Sequence, residues 1–147
     1  MPAMIQTPYQ DGLTFTSQFA GKKARLCLAL NTTSLTDAAT TAQWDAAELS
    51  GNGYARYIWT VPAGAYNSTT LRFEAAAQLC QFQASSGGAG LTWNTAYLVF
   101  GTESGGVTTW QTGVSFILVE SPNITLAPGE PRGYNVQILS DGLTVTS

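Results

Sequence analysis

Short strand-like segments separated by turn residues run through most of the chain and constrain its fold more than any other feature. Segments rich in Thr, Val, Ile, Tyr, Trp and Phe alternate with clusters of Gly, Asn, Pro and Ser. Their spacing of about 8–15 residues is typical of an antiparallel β-sandwich. We predict strands at Ala24–Leu30, Tyr54–Val61, Thr70–Glu74, Leu79–Gln83, Thr92–Phe100, Val107–Gln111, Ser115–Val119, Tyr134–Ile138 and Leu143–Thr146.

The length of the chain is that of a single domain. Its 147 residues are 44% apolar, which is enough for one hydrophobic core without a disulfide or a structural metal. We therefore predict an all-β fold, an antiparallel β-sandwich of jelly-roll-like or immunoglobulin-like architecture over residues 19–147. Residues 1–18 are predicted to form an N-terminal arm or edge strand, because Leu13 and Phe15 alternate with polar residues. The predicted core residues are Trp59, Phe73, Trp93, Leu98, Phe116, Leu118 and Ile138.

Large side chains occupy both faces of the predicted strand Tyr54–Val61. Alternation places Tyr54 and Arg56 on one face. Tyr57 and Trp59 fall on the other. Because a strand with two occupied faces is typical of the interior of a sheet, we predict that this strand is central.

The segment Thr36–Leu49 differs from the rest of the chain. It contains helix-forming residues, with Asp37 placed as an N-cap and Gly51 just beyond the point where a helix would end. Its Thr-Thr pairs favour the alternative, an extended excursion at a sheet edge. The sequence supports both a short helix and an extended segment here.

The low charge of the chain argues against nucleic acid and membranes as partners. Charged residues make up 10% of the chain, the net charge is −3, and the six basic residues are scattered. Binding to phosphates or anionic lipids requires clustered Lys and Arg. We also expect no membrane span and no signal peptide, since no apolar run is long enough and the N-terminus lacks a basic start. The product is expected to stay in the compartment where it is made.

Histidine is absent from the sequence, which removes the most common general base and metal ligand. Ser-His-Asp, Cys-His and His-metal chemistry are therefore excluded. Asp45 and Glu48 would share one face of a helix, whereas paired catalytic carboxylates usually face each other across a cleft. We predict a protein that is not an enzyme and has no catalytic residues, no metal site and no cofactor.

The two cysteines, Cys27 and Cys80, lie inside apolar alternating segments and outside any Cys-x-x-Cys pair. Free cysteine behaves as a small apolar side chain and favours burial. We predict that both thiols are reduced and buried. A disulfide between them is the alternative, if their strands face each other.

Exposed aromatic side chains would offer a platform for a sugar. An aromatic surface flanked by Asn, Gln and Thr on a β-sandwich can hold a carbohydrate by stacking. Trp59 and Trp93 fall inside strands and are expected in the core. The candidate sugar-binding residues are Trp44, Trp110 and Tyr66, which lie nearer to turns or helix ends.

A series of turn and strand motifs resembles small tailed-bacteriophage virion proteins. Gly51-Asn52-Gly53-Tyr54-Ala55-Arg56 matches the Gly-x-Gly-Tyr-x-Arg start of a strand in those proteins. The resemblance covers roughly residues 24–146. The other matching segments are Leu71–Glu74, Ala96–Gly101, the Gly105-Gly106 turn, Ser115–Val119, the loop Leu126–Glu130 and the closing strand Leu143–Thr146.

This resemblance implies a non-enzymatic structural protein on the outside of a phage particle. Such a protein would be made in the host cytoplasm and would act in the virion as a capsid decoration (cement) subunit or a tail-appendage subunit. It would form a symmetric homo-oligomer and contact other virion proteins. The alternative function is a carbohydrate-binding module, a receptor-binding element of the same virion that binds a host-surface glycan.

Two loops are the candidate interfaces with neighbouring subunits. The candidate residues are Tyr54 and Arg56 on the rim at residues 51–56, and Pro128 and Arg132 in the proline-containing loop at residues 121–133. Proline-rich loops lose little conformational entropy when they dock, and Arg132 offers a guanidinium to a carboxylate of a partner. For Arg56 an internal hydrogen bond to the turn at residues 51–53 is the competing interpretation.

Overall fold

The chain folds into two antiparallel β-sheets that pack face to face, which confirms the predicted all-β sandwich. The computed structural model describes residues 12, 15–30, 32, 34–36 and 38–146. The elements, in chain order, are β1 (Lys23–Ala29), α1 (Thr41–Ala46), β2 (Tyr57–Thr60), β3 (Ala65–Asn67), β4 (Arg72–Glu74), β5 (Gln78–Gln83), β6 (Leu91–Ser104), β7 (Val107–Trp110), β8 (Phe116–Leu126), β9 (Pro131–Leu139) and β10 (Gly142–Thr146).

Sheet one is built on the long strand β6. On one side β6 pairs with β1, which pairs in turn with β2. On its other side β6 pairs with β8 along its first part and with β7 at its end. Leu98 shows the arrangement, since it lies opposite Leu26 of β1 and opposite Phe116 of β8.

Sheet two is built on β9. On one side β9 pairs with β10 through the turn at Ser140 and Asp141. On its other side β9 pairs with β5 along most of its length and with β4 at Leu139, and β3 extends the sheet beyond β4. Strands β8 and β10 therefore each end their sheet on one side.

The core between the sheets contains the residues that alternation predicted. Trp93, Leu98, Ile138 and Trp59 are buried. The other three predicted core residues, Phe73, Phe116 and Leu118, are partly buried and pack against that cluster.

The predicted central strand is an edge strand. It begins at Tyr57 rather than at Tyr54, pairs with β1 alone, and ends before Pro62. Residues 51–53 form a turn in which all three have positive φ. Residues 54–56 do not pair with β1, and the side chains of Tyr54 and Arg56 bind Glu48 instead. The prediction of a central position was wrong because the strand has a partner on one side alone, and Ile58, on the face of Tyr54 and Arg56, is 50% exposed rather than covered.

Two further strands differ from the prediction. The short β3 was not predicted, and β8 continues through Ser121-Pro122-Asn123 to Leu126, where the sequence suggested a loop. Proline is tolerated there because β8 lies at a sheet edge. A register shift between Trp93 and Thr95 of β6 accompanies this part of β8.

The segment at residues 36–49, for which the sequence allowed either a short helix or an extended segment, contains the helix α1. Its N-cap is Thr40, whose side chain accepts from the Gln43 backbone N–H while the Gln43 side chain accepts from the Thr40 backbone N–H. This reciprocal capping box is a strong helix start signal. The predicted cap Asp37 lies outside the described residues, and the helix ends at Ala47, before Gly51.

The N-terminal segment is described in part. Residues 1–11, 13 and 14 lie outside the described residues, whereas residues 12 and 15–18 are helical rather than extended. Phe15 is fully buried and packs against Phe19 and Phe73. Its side chain therefore belongs to the core of the sandwich and not to a separate arm.

Candidate interaction surfaces

The outer face of sheet one is covered by the segment that contains α1. A second cluster of buried side chains lies beneath it, formed by Cys27 and Ala29 of β1, Tyr97 and Val99 of β6, and Trp44 of α1. Trp44 packs against Tyr97 with ring centroids 5.4 Å apart. Because the chain itself occupies the part of this face around Tyr97, that part is not a free surface for partners.

Arg25 attaches α1 to the sheet. Its guanidinium is 2% exposed and lies 2.9 Å from the carboxylate of Asp45 in α1. The other oxygen of Asp45 accepts a hydrogen bond of 2.8 Å from the Tyr97 hydroxyl. The guanidinium also lies over the ring of Trp110 at 4.8 Å from its centroid, a cation–π contact. This side chain therefore holds three separate elements together.

Glu48 binds the tyrosine and the arginine of the Gly-x-Gly-Tyr-x-Arg segment. Its carboxylate accepts from the Tyr54 hydroxyl at 2.6 Å and from two nitrogens of Arg56. The Leu28 backbone N–H donates in turn to the Tyr54 hydroxyl at 3.0 Å. Both predicted interface residues of this rim are therefore engaged within the chain, and the partner of Arg56 is Glu48 rather than the turn at residues 51–53.

The ionisation of this group follows from burial and from Glu48. Burial and the hydrogen bond to Glu48 raise the pKa of Tyr54 far above its usual value. Burial opposes the charged form of Arg56, but the hydrogen bond to Glu48 and the negative charges of Glu48 and Asp45 together outweigh it and raise the pKa of the guanidinium. Tyr54 is therefore neutral and Arg56 charged at any physiological pH.

Both thiols are free and fully buried. Burial raises the pKa of Cys27 to about 12, with the nearby Glu48 acting in the same direction. Burial alone raises the pKa of Cys80 to about 12. Cys27 lies on the outer face of sheet one and Cys80 in the core between the sheets, so no bridge joins them.

The two predicted interface loops meet at one end of the sandwich. The Ser85 backbone N–H donates to the Asn52 carbonyl in one loop. In the other loop the Gly129 backbone N–H donates to the Ala84 carbonyl. Pro128 is exposed in that second loop. We call residues 51–53, 84–85 and 127–130 the loop end.

Arg132 lies just inside the loop end. Its guanidinium stands over the ring of Tyr134, 5.6 Å from the centroid, and 4.0 Å from a carboxylate oxygen of Glu120. The Tyr134 hydroxyl donates to the same carboxylate and accepts from Trp93 Nε1. Arg132 is thus partly used in contacts between the two sheets.

The candidate sugar-binding residues do not form a platform. Trp44 is 3% exposed and belongs to the cluster beneath α1. Trp110 has one ring face against Arg25. Tyr66 lies in sheet two, where its ring is directed towards Phe73 with centroids 6.3 Å apart. The expectation that Trp44 is exposed was wrong, because the segment that carries it folds back on sheet one.

The outer face of sheet two carries a pattern that was not singled out from the sequence. Alternation along β5, β9 and β10 directs Cys80, Tyr134 and Val145 inward and leaves their neighbours outward. None of the outward side chains of these three strands is ionisable, whereas Arg72 and Glu74 bring charge to the same face on β4. We call this surface the neutral face; it consists of Leu79, Gln81, Gln83, Gly133, Asn135, Gln137, Thr144 and Thr146. The sequence pattern that could have predicted this face is the alternation of uncharged polar residues in Gln81-x-Gln83 and Thr144-x-Thr146.

An apolar cleft opens beside the neutral face, where the edges of the two sheets lie opposite each other. It has a volume of about 270 Å³. Phe116 and Leu118 of β8 line one wall and Leu143 and Val145 of β10 the other. These four side chains are only partly buried. The sandwich is therefore less closed on this side than in its centre.

Among the described residues, no group of three or more Cys, Asp or Glu side chains is placed to hold a metal ion. No helix there is long and apolar enough to cross a membrane.

Comparisons of the chain with protein-family models, curated proteins and solved structures find no match.

Proposed function

We propose that this chain is a non-enzymatic structural subunit on the exterior of a bacteriophage particle, either a capsid decoration subunit or a tail-appendage subunit. It acts through contacts with copies of itself and with other virion proteins. The motifs that resemble small virion proteins suggest this class, and the neutral face is the structural observation that carries it.

The neutral face has the composition of a contact surface. The cores of protein–protein interfaces are depleted of Lys, Glu and Asp, because burying a charge is costly. Eight outward positions on three neighbouring strands carry no such residue. Leu79 adds an apolar side chain that is 44% exposed and lies over Gly133.

The loop end adds a second region suited to contacts. Its turn at residues 51–53 is fixed by the positive φ of Gly51, Asn52 and Gly53 and by the hydrogen bond from Ser85. A preorganised loop loses little entropy when it docks. In this proposal Tyr54 and Arg56 shape the rim from within, and Pro128 presents an exposed surface.

The copy number of the protein in purified particles tests this proposal. Quantitative gel analysis is expected to find the chain in the particles. Hundreds of copies would identify a capsid decoration subunit, and multiples of three or six below about one hundred would identify a tail appendage. Absence of the chain from purified particles would overturn both assignments.

Glycan binding stays a prediction. It requires an exposed aromatic beside Asn or Gln, and with Trp44 buried the remaining candidates are Trp110 and Tyr66, both half-buried. Trp110 lies at the end of β7.

A further inference from the structure

We propose that β10 pairs with β10 of a second copy of this chain, antiparallel about a two-fold axis, so that sheet two continues from one subunit into the next. This inference rests on the homo-oligomer of the proposed function and names its contact. It also stands on the structure of the isolated subunit, because it depends only on the edge of sheet two and the cleft beside it.

Within the part of the chain that the structure describes, β10 is a free edge without the usual protection. Proteins blunt exposed edge strands with charged side chains, proline, bulges or covering segments. The sequence of β10 is Gly-Leu-Thr-Val-Thr, and among the described residues only β9 pairs with it. Every second residue of an antiparallel strand directs its N–H and C=O away from its partner. β10 therefore presents unpaired backbone groups to solvent on its free side.

The other free edges are protected. β3 has three residues, β7 has four, β2 has four and stops before Pro62, and β8 carries Glu120 and Pro122. The free side of β5 is approached by residues that lead into and begin β2. Tyr54 stacks on Phe82 and the Tyr57 hydroxyl accepts from Gln78. Protection at these edges and its absence at β10 single out this strand.

A second copy is the occupant that the charges favour. In an antiparallel two-fold contact the residues near the axis lie close to their own counterparts, so a charged group there would repel its own copy. β10 has no ionisable residue. The nearest carboxylate across the cleft, Glu120 of β8, is already bound by Tyr134 and close to Arg132. The edge is thus compatible with its own copy.

Pairing would also complete two surfaces described above. The half-buried Leu143 and Val145 line the cleft, and a second strand beside them would remove more of their apolar area from water. On the opposite side of the strand, Thr144 and Thr146 belong to the neutral face. Joining two strands β10 would therefore make one neutral face across both subunits.

The contact is small and should be weak in isolation. Five residues per strand give an interface below the roughly 1,000 Å² of a stable dimer. We expect rapid self-association at high protein concentration, strengthened in a particle where many copies are held together.

A cysteine cross-link tests the pairing directly in the full chain. Thr144 is the central residue of β10, so symmetric pairing places two copies of it beside each other. Opposed residues in antiparallel strands have Cα atoms about 4.5–5.5 Å apart, within the range of a disulfide. The Thr144→Cys variant is expected to form a covalent dimer under mild oxidation. Cys27 and Cys80 are fully buried and do not compete.

The matched control is Thr109→Cys, an exposed threonine on β7. We expect Thr144→Cys to cross-link roughly tenfold faster than this control, since pairing raises the local concentration of the two thiols. Equal rates for the two variants would overturn the proposal. Fast cross-linking that requires deletion of residues 1–11 would also overturn it, because the edge would then be taken by the chain's own N-terminal segment.

A charge at the same position gives a second readout. Sedimentation at high concentration should show self-association of the unmodified chain, loss of it in Thr144→Lys, and no change in Thr109→Lys. An unaltered Thr144→Lys profile would contradict the pairing. These measurements use the isolated protein, whereas the proposed function is tested by copy number in particles. Failure of one is therefore distinguishable from failure of the other.

Discussion

The guanidinium of Arg25 and the carboxylate of Asp45 form an ion pair of 2.9 Å in which Arg25 is almost wholly buried and Asp45 is 30% exposed. The pair joins β1 to α1 and thereby joins the sheet to the segment that covers it. A buried charge that loses its partner is strongly destabilising, so this contact makes the covering segment part of the fold.

The first prediction concerns this pair. Asp45→Asn should lower the free energy of unfolding by about 2–3 kcal/mol, the lower part of the range for buried pairs because Asp45 is partly exposed. The control is Asp141→Asn, whose carboxylate is 62% exposed and 3.4 Å from Arg72. Its effect should be below about 0.5 kcal/mol. Urea unfolding measures both, and equal effects would contradict the structural importance of Arg25.

The second prediction concerns the Tyr54 hydroxyl. Tyr54→Phe leaves the Leu28 N–H without its acceptor and removes a donor to Glu48, so it should cost about 1–2 kcal/mol. Tyr66→Phe is the matched control, since no hydrogen bond of the Tyr66 hydroxyl is found within the described residues, and it should change stability little. Thermal unfolding of the two variants decides whether the Tyr-x-Arg segment is held from within.

The third prediction concerns Arg132. From the sequence alone, Arg132→Glu should weaken assembly and leave the stability of the monomer nearly unchanged. The structure changes this expectation, because the substitution removes the cation–π contact with Tyr134 and places a carboxylate beside Glu120. We expect a loss of about 1–2 kcal/mol in the monomer. A melting temperature equal to that of the unmodified chain would restore the interface interpretation.

The fourth prediction concerns the thiols and pH. Because burial raises the pKa of Cys27 and Cys80 to about 12, the unfolded chain releases these protons at lower pH than the folded chain. Stability is therefore unaffected below about pH 8.5 and falls as the pH rises towards 12, by about 1.4 kcal/mol per pH unit for each thiol. Denaturant unfolding at pH 8, 9 and 10 measures this slope.

The control for that slope is the Cys27→Ala, Cys80→Ala double variant. It should be less stable at pH 8 because two buried side chains are shortened, but its stability should fall less steeply between pH 9 and 10. A slope identical to that of the unmodified chain would show that other groups cause the loss. Rapid reaction of both native thiols with a bulky reagent at pH 8 would contradict their burial.

The fifth prediction concerns glycan binding. Trp110→Ala should leave any signal on a glycan array unchanged, because Arg25 occupies one face of the ring and the other candidate aromatics lie elsewhere. A stacked aromatic contributes on the order of 1–3 kcal/mol. Loss of a robust array signal in this variant would instead support the carbohydrate-binding alternative.

Alternation along the strands was enough to predict the sandwich and its core. Leu98 and Ile138 follow the period-two pattern and are buried. Trp93 lies in the same core because the register of β6 shifts between Trp93 and Thr95. Position within a sheet was not predictable in the same way. Large side chains on both faces of residues 54–61 suggested a central strand. Instead, Tyr54 and Arg56 are directed to Glu48, a residue outside any strand. Contacts of this kind depend on which segments fold over a sheet, and no local pattern encodes them.

For the candidate surfaces, too, the local pattern predicted part of the arrangement, and the rest depends on long-range contacts. Pro128 and the turn at residues 51–53 lie at one end of the sandwich, as two loops of a sandwich can, but their meeting at Ala84 and Ser85 depends on the pairing of β5 with β9. Trp44 was expected to be exposed because it lies near turn or helix-end residues. It is buried because α1 packs on Tyr97.

The strand order of the two sheets has a consequence for synthesis of the chain. Sheet one joins β1 to β6 and β8, and sheet two joins β5 to β9, so sheet one is complete only when β8 has left the ribosome and sheet two only when β10 has. At about 5–20 residues per second, the early strands remain unpaired for several seconds. A nascent chain without β9 and β10 would expose most of its core, and truncation near the C-terminus should therefore yield aggregated rather than partly folded protein.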